Sequence, residues 1–159
     1  MNKPIKVGLI GYGFAGKTFH VLFITTIEGF QLSAIVSSDE QKVKKDWPNV
    51  PIFASLEQLF AEQPEVSLIV IPTPNKTHFL PLAKQALEAG KHVIVDKLFT
   101  LTMQEALTLN QLAQTKGKLL SVYYNRRWDS GFSTVKSLLE KQILGELKYY
   151  ESHFYGYRA

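Results

Sequence analysis

This sequence lacks three features, and each absence excludes a class of protein. The chain contains no cysteine, which rules out disulfide bonds and metal sites built from thiolates. No apolar run approaches the roughly 20 residues that a membrane-spanning helix needs. The N-terminus also lacks the long apolar stretch and small-residue cleavage site of a signal peptide. We therefore expect a cytoplasmic protein that engages no membrane and holds no metal.

Basic charge is present but is not concentrated. The net charge is +4 at pH 7, and the one dense basic run, Lys42, Lys44 and Lys45, is interrupted by Asp46. Nucleic-acid-binding proteins usually gather lysine and arginine on one face. We interpret the run as the solvated side of a helix and expect no nucleic-acid partner.

Short apolar segments alternate with amphipathic segments along most of the chain. The apolar segments predict strands at 5–10, 32–36, 52–53, 66–71, 92–95 and 119–124. The segments between them predict helices at 15–26, 40–45, 56–62, 77–89 and 102–116. Strands that are apolar on both faces belong to a parallel sheet covered by helices on both sides. The pattern predicts an α/β fold with a doubly wound parallel sheet of the Rossmann type.

The alternation stops near Asn125, where we place a domain boundary. A helix is predicted at 132–141 and a strand at 146–157, with every second residue from Leu147 to Tyr155 on one face. Residues 1–124 then form the Rossmann domain. Residues 125–159 supply the first helix and strand of an α+β domain that the chain leaves incomplete.

A glycine-rich loop follows the first predicted strand and opens the first helix. Gly11, Gly13 and Gly16 form the pattern G-x-G-x-x-G, with Phe14 inside it. In this context the first glycine permits a tight turn, the second lets a pyrophosphate approach the backbone, and the third lets helix and strand pack closely. The helix N-terminus adds free N–H groups and a partial positive charge. The loop favours a dinucleotide as ligand.

The same residues also match a second motif. Residues 11–18 fit G-x-x-x-x-G-K-[ST], the phosphate loop of nucleotide hydrolases, in which Lys17 would reach phosphates and Thr18 would bind magnesium. Asp96 at the end of an apolar strand could then serve as a second magnesium ligand. Glycine at position 13 is required only by the dinucleotide loop, which we favour, and Lys17 is then a solvated residue in the first helical turn.

The end of the second predicted strand bears on the choice of cofactor. An NAD site usually places an acidic residue there to bind the ribose 2′-hydroxyl. Here Val36 is followed by Ser37 and Ser38, whose hydroxyls suit a 2′-phosphate, and Lys42 could add charge. Asp39 argues for NAD if it turns inward. These residues favour NADP over NAD.

Four segments together resemble the glucose–fructose oxidoreductase and inositol dehydrogenase (Gfo/Idh/MocA) family, and within it NADP-dependent scyllo-inositol dehydrogenases. They are GLIGYGFAGKTFH, VIPTPNKTHF, ALEAGKHVIVDKLFT and LLSVYYNRRWDSGF, which with their spacing cover nearly the whole chain. The resemblance implies a homo-oligomeric parent enzyme that transfers a hydride between a nicotinamide cofactor and a secondary alcohol of a polyol or sugar.

The resemblance also implies roles for individual residues. The cofactor's nicotinamide end would be bordered by residues after the fourth strand, namely Pro72, Thr73, Asn75 and His78, and by Asp96. Asn75 could equally be a helix N-cap, and His78 an ordinary surface histidine.

Lys97 would be the catalytic residue, which hydrogen-bonds the alkoxide or takes the proton released from the alcohol. Without the resemblance, Lys97 would be an ordinary exposed residue after a strand. Two positions depart from the expected pattern, since Leu98 replaces the family's proline and Tyr124 replaces a histidine of close relatives. Leu98 leaves the direction of the Lys97 side chain less constrained.

The turn Asn125, Arg126, Arg127 and Trp128 matches the family's turn between the two domains. Its arginines could bind substrate or cofactor, or they could hold a hinge together by bonding loop carbonyls. The family's acid/base histidine lies in the part of the second domain that would follow. The chain alone is therefore expected to bind cofactor without turnover. The alternatives are a non-catalytic dinucleotide-binding or sensing module and, less favoured, a nucleotide hydrolase.

Overall fold

The computed structural model describes residues 3–73, 79–153 and 155–156, and it contains one six-stranded parallel sheet. The order of the strands is β3-β2-β1-β4-β5-β6, which confirms the predicted doubly wound topology. The strands are β1 Ile5–Ile10, β2 Phe30–Val36, β3 Ile52–Phe53, β4 Leu68–Ile71, β5 His92–Asp96 and β6 Leu120–Tyr123.

The helices follow the predicted order with small shifts at their ends. They are α1 Val21–Thr26, α2 Glu40–Asp46, α3 Leu56–Glu62, α4 Phe79–Glu88, α5 Met103–Thr115 and α6 Ser130–Glu140. The predicted first helix differs most, because a π-helical turn, Gly16–His20, precedes α1. In that turn the backbone N–H of Val21 donates to the carbonyl of Gly16, five residues earlier.

Short polar side chains explain where three of these helices begin. Asp39, Ser55 and Thr102 accept hydrogen bonds from backbone N–H groups in the first turns of α2, α3 and α5. At α5 the cap is reciprocal, because the Glu105 carboxylate accepts from the Thr102 backbone N–H. Such caps satisfy donors that the helix itself cannot satisfy.

The apolar strands bury both of their faces, as their composition predicted. Along β1, Val7 and Leu9 belong to a core cluster that includes Val21 of α1 and Val43 of α2. Ile10 belongs to a second cluster, which lies among residues of α3, α4 and α5. The same alternation recurs along β4. Side chains of a strand point alternately to opposite faces, so the continuous apolar runs are explained by helices on both sides.

The chain divides into two compact units, residues 1–123 and 124–159. The second unit contains a 3₁₀ turn, Asn125–Trp128, followed by α6. None of the helices in the described residues is long and apolar enough to cross a membrane.

The strand predicted at 146–157 is not formed in the described part of that range. A strand requires a neighbouring strand to satisfy its backbone groups, and the described residues of the second unit include no other strand. The alternation of its side chains is nevertheless present locally. The Tyr149 hydroxyl donates to Glu151 over 2.9 Å, Glu151 pairs with His153, and the His153 ring stacks on Tyr155 at 5.5 Å.

Candidate functional site

A cavity of about 440 Å³ lies at the carboxyl ends of β1, β2 and β4. The strand order reverses between β1 and β4, and open α/β sheets bind their ligands at such a switch point. The cavity brings together residues that sequence reasoning assigned to a cofactor from three separate segments. These are Gly11, Gly13, Ser37, Ser38, Lys42 and Thr73.

The three glycines of the loop have different surroundings. Gly11 has φ of +99°, which L side chains rarely adopt, and a Cβ there would lie 2.9 Å from Thr73 Cγ2. A Cβ on Gly16 would lie 2.4 Å from the Gly11 carbonyl oxygen and 3.3 Å from Pro72 Cγ. A Cβ on Gly13 would meet no atom within 4 Å. Gly13 therefore leaves open space beside the loop, where a phosphate group fits.

Thr73 adds an unsatisfied polar atom to the wall of this cavity. Its Oγ1 is buried and has no hydrogen-bond partner among the described residues. A buried hydroxyl without a partner costs free energy, and a bound ligand oxygen would satisfy it. An open glycine cradle together with a buried orphan hydroxyl fits a phosphate-bearing cofactor.

The end of β2 is organised by the start of α2. Asp39 Oδ1 accepts from the Lys42 backbone N–H over 3.0 Å, and the Asp39 backbone N–H donates to Ser37 Oγ over 3.1 Å. The Asp39 carboxylate thus caps α2, although the residue also borders the cavity. Ser38 and Lys42 are exposed there.

Lys97 lies in the exposed turn after β5, beside Asp96 but outside the lining of the cavity. Asp96 Oδ1 accepts from the Lys97 backbone N–H over 2.7 Å, and Asp96 Oδ2 lies 3.4 Å from Nε2 of His20. The Lys97–Leu98 peptide bond is cis. The Asp96 carboxylate therefore connects the turn that carries Lys97 to the last residue of the π-helical turn.

His20 is buried, with 4% of its surface exposed, and its ring centroid lies 4.5 Å from that of Tyr123. Burial lowers the pKa of His20 below its usual value of 6.5, while the nearby Asp96 carboxylate acts in the opposite direction. Its imidazole is therefore neutral at pH 7, with Nε2 facing the Asp96 carboxylate. Sequence reasoning missed His20, since 76 residues separate it from Asp96.

A hydrogen-bonded group of four residues, which we call the loop latch, was also missed. The latch consists of Tyr12, Lys17, Asp46 and Trp47. Tyr12 donates to Asp46 Oδ2 over 2.9 Å, Lys17 Nζ lies 2.7 Å from the same oxygen, and Trp47 Nε1 donates to the Tyr12 hydroxyl over 3.0 Å. Lys17 is exposed, as expected of a solvated residue in the first helical turn, and its ammonium also pairs with Asp46.

Electrostatics in the latch follow from this geometry. The hydrogen bond from Lys17, followed by that from Tyr12, lowers the pKa of the Asp46 carboxyl below its usual range. Burial and then the hydrogen bond to Asp46 raise the pKa of Tyr12 to about 12. Asp46 is therefore ionised and Tyr12 protonated at neutral pH. The only local signal was that Asp46 interrupts a run of lysines.

The remaining predicted residues lie elsewhere or outside the described residues. Phe14 is exposed and packs edge-to-face on Phe19, with ring centroids 5.8 Å apart.

In the second unit, Arg126 pairs with Asp129 at 2.8 Å. Arg127 and Trp128 line a cavity of about 500 Å³ beside α6. Asn125 is half-buried. Asn75 and His78 lie outside the described residues. Within the described ranges, no group of acidic or histidine side chains could hold a metal ion.

A doubly wound sheet with a G-x-G-x-x-G loop at its switch point defines a dinucleotide-binding Rossmann domain. Residues 5–124 match the family model described as the oxidoreductase family with an NAD-binding Rossmann fold, GFO_IDH_MocA. The chain belongs to this Gfo/Idh/MocA oxidoreductase family. The interpretation of residues 11–18 as a hydrolase phosphate loop is therefore wrong, and the recognised resemblance is confirmed.

Individual relatives agree with this assignment. The chain is 56% identical to the uncharacterized oxidoreductase YdgJ of Escherichia coli over 99% of its length, and 37% identical to the scyllo-inositol 2-dehydrogenase (NADP(+)) IolW of Bacillus subtilis over 97%. It covers 45% and 42% of those proteins. Among solved structures, the YPO2259 oxidoreductase of Yersinia pestis is 52% identical with a TM-score of 0.91, over 99% of this chain and 45% of that one. The chain thus spans less than half the length of these relatives.

Proposed function

We propose that the chain is the cofactor-binding portion of an NADP-dependent dehydrogenase that acts on a secondary alcohol of a polyol or sugar. The observation that carries the proposal is the cavity at the switch point, which joins the glycine loop to Ser37, Ser38 and Lys42. These side chains occupy the position from which an NAD site presents an acid to the ribose. The preference for NADP over NAD follows from their chemistry.

Two features of the β2 end support NADP. Hydroxyl and ammonium groups bind phosphate oxygens through charge-assisted hydrogen bonds, and Ser38 and Lys42 present such groups at the cavity. Asp39 is the nearest acid, and its Oδ1 accepts from the Lys42 backbone N–H as the cap of α2. This cap engages one of the carboxylate oxygens that could otherwise accept from a ribose hydroxyl.

The charge on Lys42 tests the cofactor preference. We expect Lys42→Ala to weaken NADPH binding about tenfold, because a charge-assisted contact to the 2′-phosphate is lost. The affinity for NADH should stay within twofold, since NADH lacks that phosphate. Fluorescence titration of the reduced cofactors measures both values.

Lys44→Ala serves as the matched control for Lys42→Ala. Lys44 lies on the same helix and pairs with Glu40 outside the cavity, so its removal changes the net charge equally. NADPH affinity should be unchanged in this control. Tighter binding of NADH than of NADPH by the unaltered chain contradicts the preference for NADP.

The chemistry assigned to Lys97 follows from what alcohol oxidation requires. The bound nicotinamide accepts a hydride, and a side chain must hold or receive the proton released from the hydroxyl. Lys97 is exposed in the turn after β5, where its ammonium can hydrogen-bond the developing alkoxide. Asp96 holds the Lys97 backbone N–H and so orients this turn.

The proposed substrate class is based on the family and on the relative IolW. A separate assay with the full-length protein tests it. A protein spanning the full length of the relatives is expected to reduce NADP⁺ when supplied with inositols or sugars. Lys97→Ala in that protein should remove turnover and leave NADPH binding intact. Leu98, at the family's proline position, favours the alternative of a non-catalytic dinucleotide-binding module. NADPH binding without turnover on any polyol or sugar supports that alternative.

A further inference from the structure

We propose that Tyr12 and Asp46 are positioning residues for the cofactor's pyrophosphate, because the loop latch fastens the glycine loop to the end of α2. The inference rests on the proposed cofactor function and adds to it two residues that do not belong to the glycine motif.

The position of Tyr12 makes it suited to this task. It stands between Gly11 and Gly13, and it lines the cavity in which the ligand would lie. Its side chain is 5% exposed and belongs to the same core cluster as Ile35 and Val43. The Tyr12 side chain is therefore held in the core, while the loop itself borders the cavity.

The hydroxyl of Tyr12 is held as both a donor and an acceptor. It donates to Asp46 Oδ2 over 2.9 Å and accepts from Trp47 Nε1 over 3.0 Å. Lys17, which directly follows Gly16 in the π-helical turn, lies 2.7 Å from the same carboxylate oxygen. Asp46 therefore connects the loop and the start of the first helix to the end of α2. Because 34 residues separate Tyr12 from Asp46, the contact is a tertiary constraint on the loop.

Glycine loops need such a constraint because glycine has more backbone freedom than any other residue. A loop that binds phosphate through its N–H groups must order those groups, and the entropy lost in ordering subtracts from the affinity. Tyr12 carries the one large side chain between Gly11 and Gly13. When its ring and hydroxyl are fixed, the loop is ordered before the ligand arrives.

The protonation states keep the latch closed at neutral pH. Burial and Asp46 raise the pKa of Tyr12 to about 12, so the hydroxyl retains its proton and donates. Lys17 lowers the pKa of the Asp46 carboxyl, so the acceptor retains its charge. A hydrogen bond from a neutral hydroxyl to an ionised carboxylate is stronger than one between two neutral groups.

The affinities for two ligands should change differently according to whether the latch has a purely structural role or positions the pyrophosphate. The pyrophosphate of NADPH would bind at the glycine loop, whereas a 2′-phosphate would bind at the β2 end, beside Ser38 and Lys42. Adenosine 2′-monophosphate contains the second group but no pyrophosphate. Loosening the loop should therefore weaken NADPH binding while the smaller ligand binds as before.

The experiment compares the affinities of both ligands for Tyr12→Phe and for the unaltered chain. Tyr12→Phe removes one hydroxyl and keeps the buried ring. We expect NADPH binding to weaken about tenfold, as for loss of a charge-assisted hydrogen bond, and adenosine 2′-monophosphate binding to stay within twofold. Equal changes for the two ligands, or no change for either, overturn the proposal.

Substitutions at Asp46 provide the rescue test. Asp46→Ala removes the acceptor and should weaken NADPH binding as Tyr12→Phe does. Asp46→Asn keeps an oxygen that can accept from Tyr12 but loses the charge and the ion pair with Lys17, so it should recover part of the affinity. If Asp46→Asn and Asp46→Ala weaken NADPH binding equally, the link between Asp46 and Tyr12 is not what positions the loop.

Thr102→Ala controls for general loss of stability. It removes the N-cap of α5, which costs about 1 kcal/mol, and it lies outside both the latch and the lining of the cavity. Its affinities for both ligands should match those of the unaltered chain. If the unaltered chain binds neither ligand, the proposed function fails and the positioning role falls with it. If it binds both and Tyr12→Phe changes neither affinity, only the positioning role falls.

Discussion

Gly13→Val is expected to weaken dinucleotide binding about 100-fold while leaving the fold unchanged. A Cβ at this position meets no atom within 4 Å, and Gly13 is not in the left-handed region that favours glycine. A valine side chain should therefore be accommodated by the protein but project into the open space beside the loop. A clash of about 3 kcal/mol with the pyrophosphate corresponds to roughly 100-fold weaker binding.

Titration with NADPH, together with thermal unfolding followed by circular dichroism, measures both parts of this expectation. Gly131→Val is the matched control, because a Cβ on Gly131 would also meet no atom within 4 Å and the residue lies on α6 in the second unit. NADPH affinity should be unaffected there. Normal NADPH binding by Gly13→Val means that the pyrophosphate does not lie against this loop.

Gly16→Ala is expected to give the opposite result, a large loss of stability. Its Cβ would lie 2.4 Å from the Gly11 carbonyl oxygen, a backbone atom that cannot rotate away, and 3.3 Å from Pro72 Cγ. The loop or the π-helical turn would have to shift. Overpacking of this kind costs up to about 3 kcal/mol, which lowers the unfolding temperature by on the order of 10 °C in a chain of this length.

Gly13→Ala is the control for Gly16→Ala, because the same methyl group is added to the same loop in open space. Its unfolding temperature should stay within a few degrees of that of the unaltered chain. A Gly16→Ala protein that unfolds at the unaltered temperature shows that the close approach of helix and strand is not required. The pair separates a glycine needed by the ligand from a glycine needed by the fold.

Local patterns in the sequence were sufficient for the fold class. Continuous apolar runs predicted strands buried on both faces, and the structure places two core clusters on opposite faces of the sheet. The glycine spacing, read after a strand and before a helix, indicated a dinucleotide loop, and the family match agrees with it. These features are readable because side-chain alternation, helix capping and backbone freedom depend on residues close together in the chain.

Two irregular segments were less predictable from the sequence. The π-helical turn at Gly16–His20 carries no recognisable signal in the sequence, although its backbone differs from that of an ordinary α-helix, as the bond from Val21 N–H to the Gly16 carbonyl shows. The segment predicted as a strand at 146–157 has the right alternation, yet no strand forms in its described part. A strand requires a partner, and its own sequence cannot supply one.

The sequence by itself determined the alternation of strands and helices, the position of the glycine loop and the candidate residues at the strand ends. Tertiary structure alone decided which of these residues meet. It brought Ser37, Lys42 and Thr73 to one cavity with the glycine loop. It also paired Tyr12 with Asp46. The physical reason is that a contact between residues tens of positions apart depends on the order of the strands and the packing of the helices. Neither the strand order nor the helix packing can be read from the residues that neighbour such a contact in the sequence.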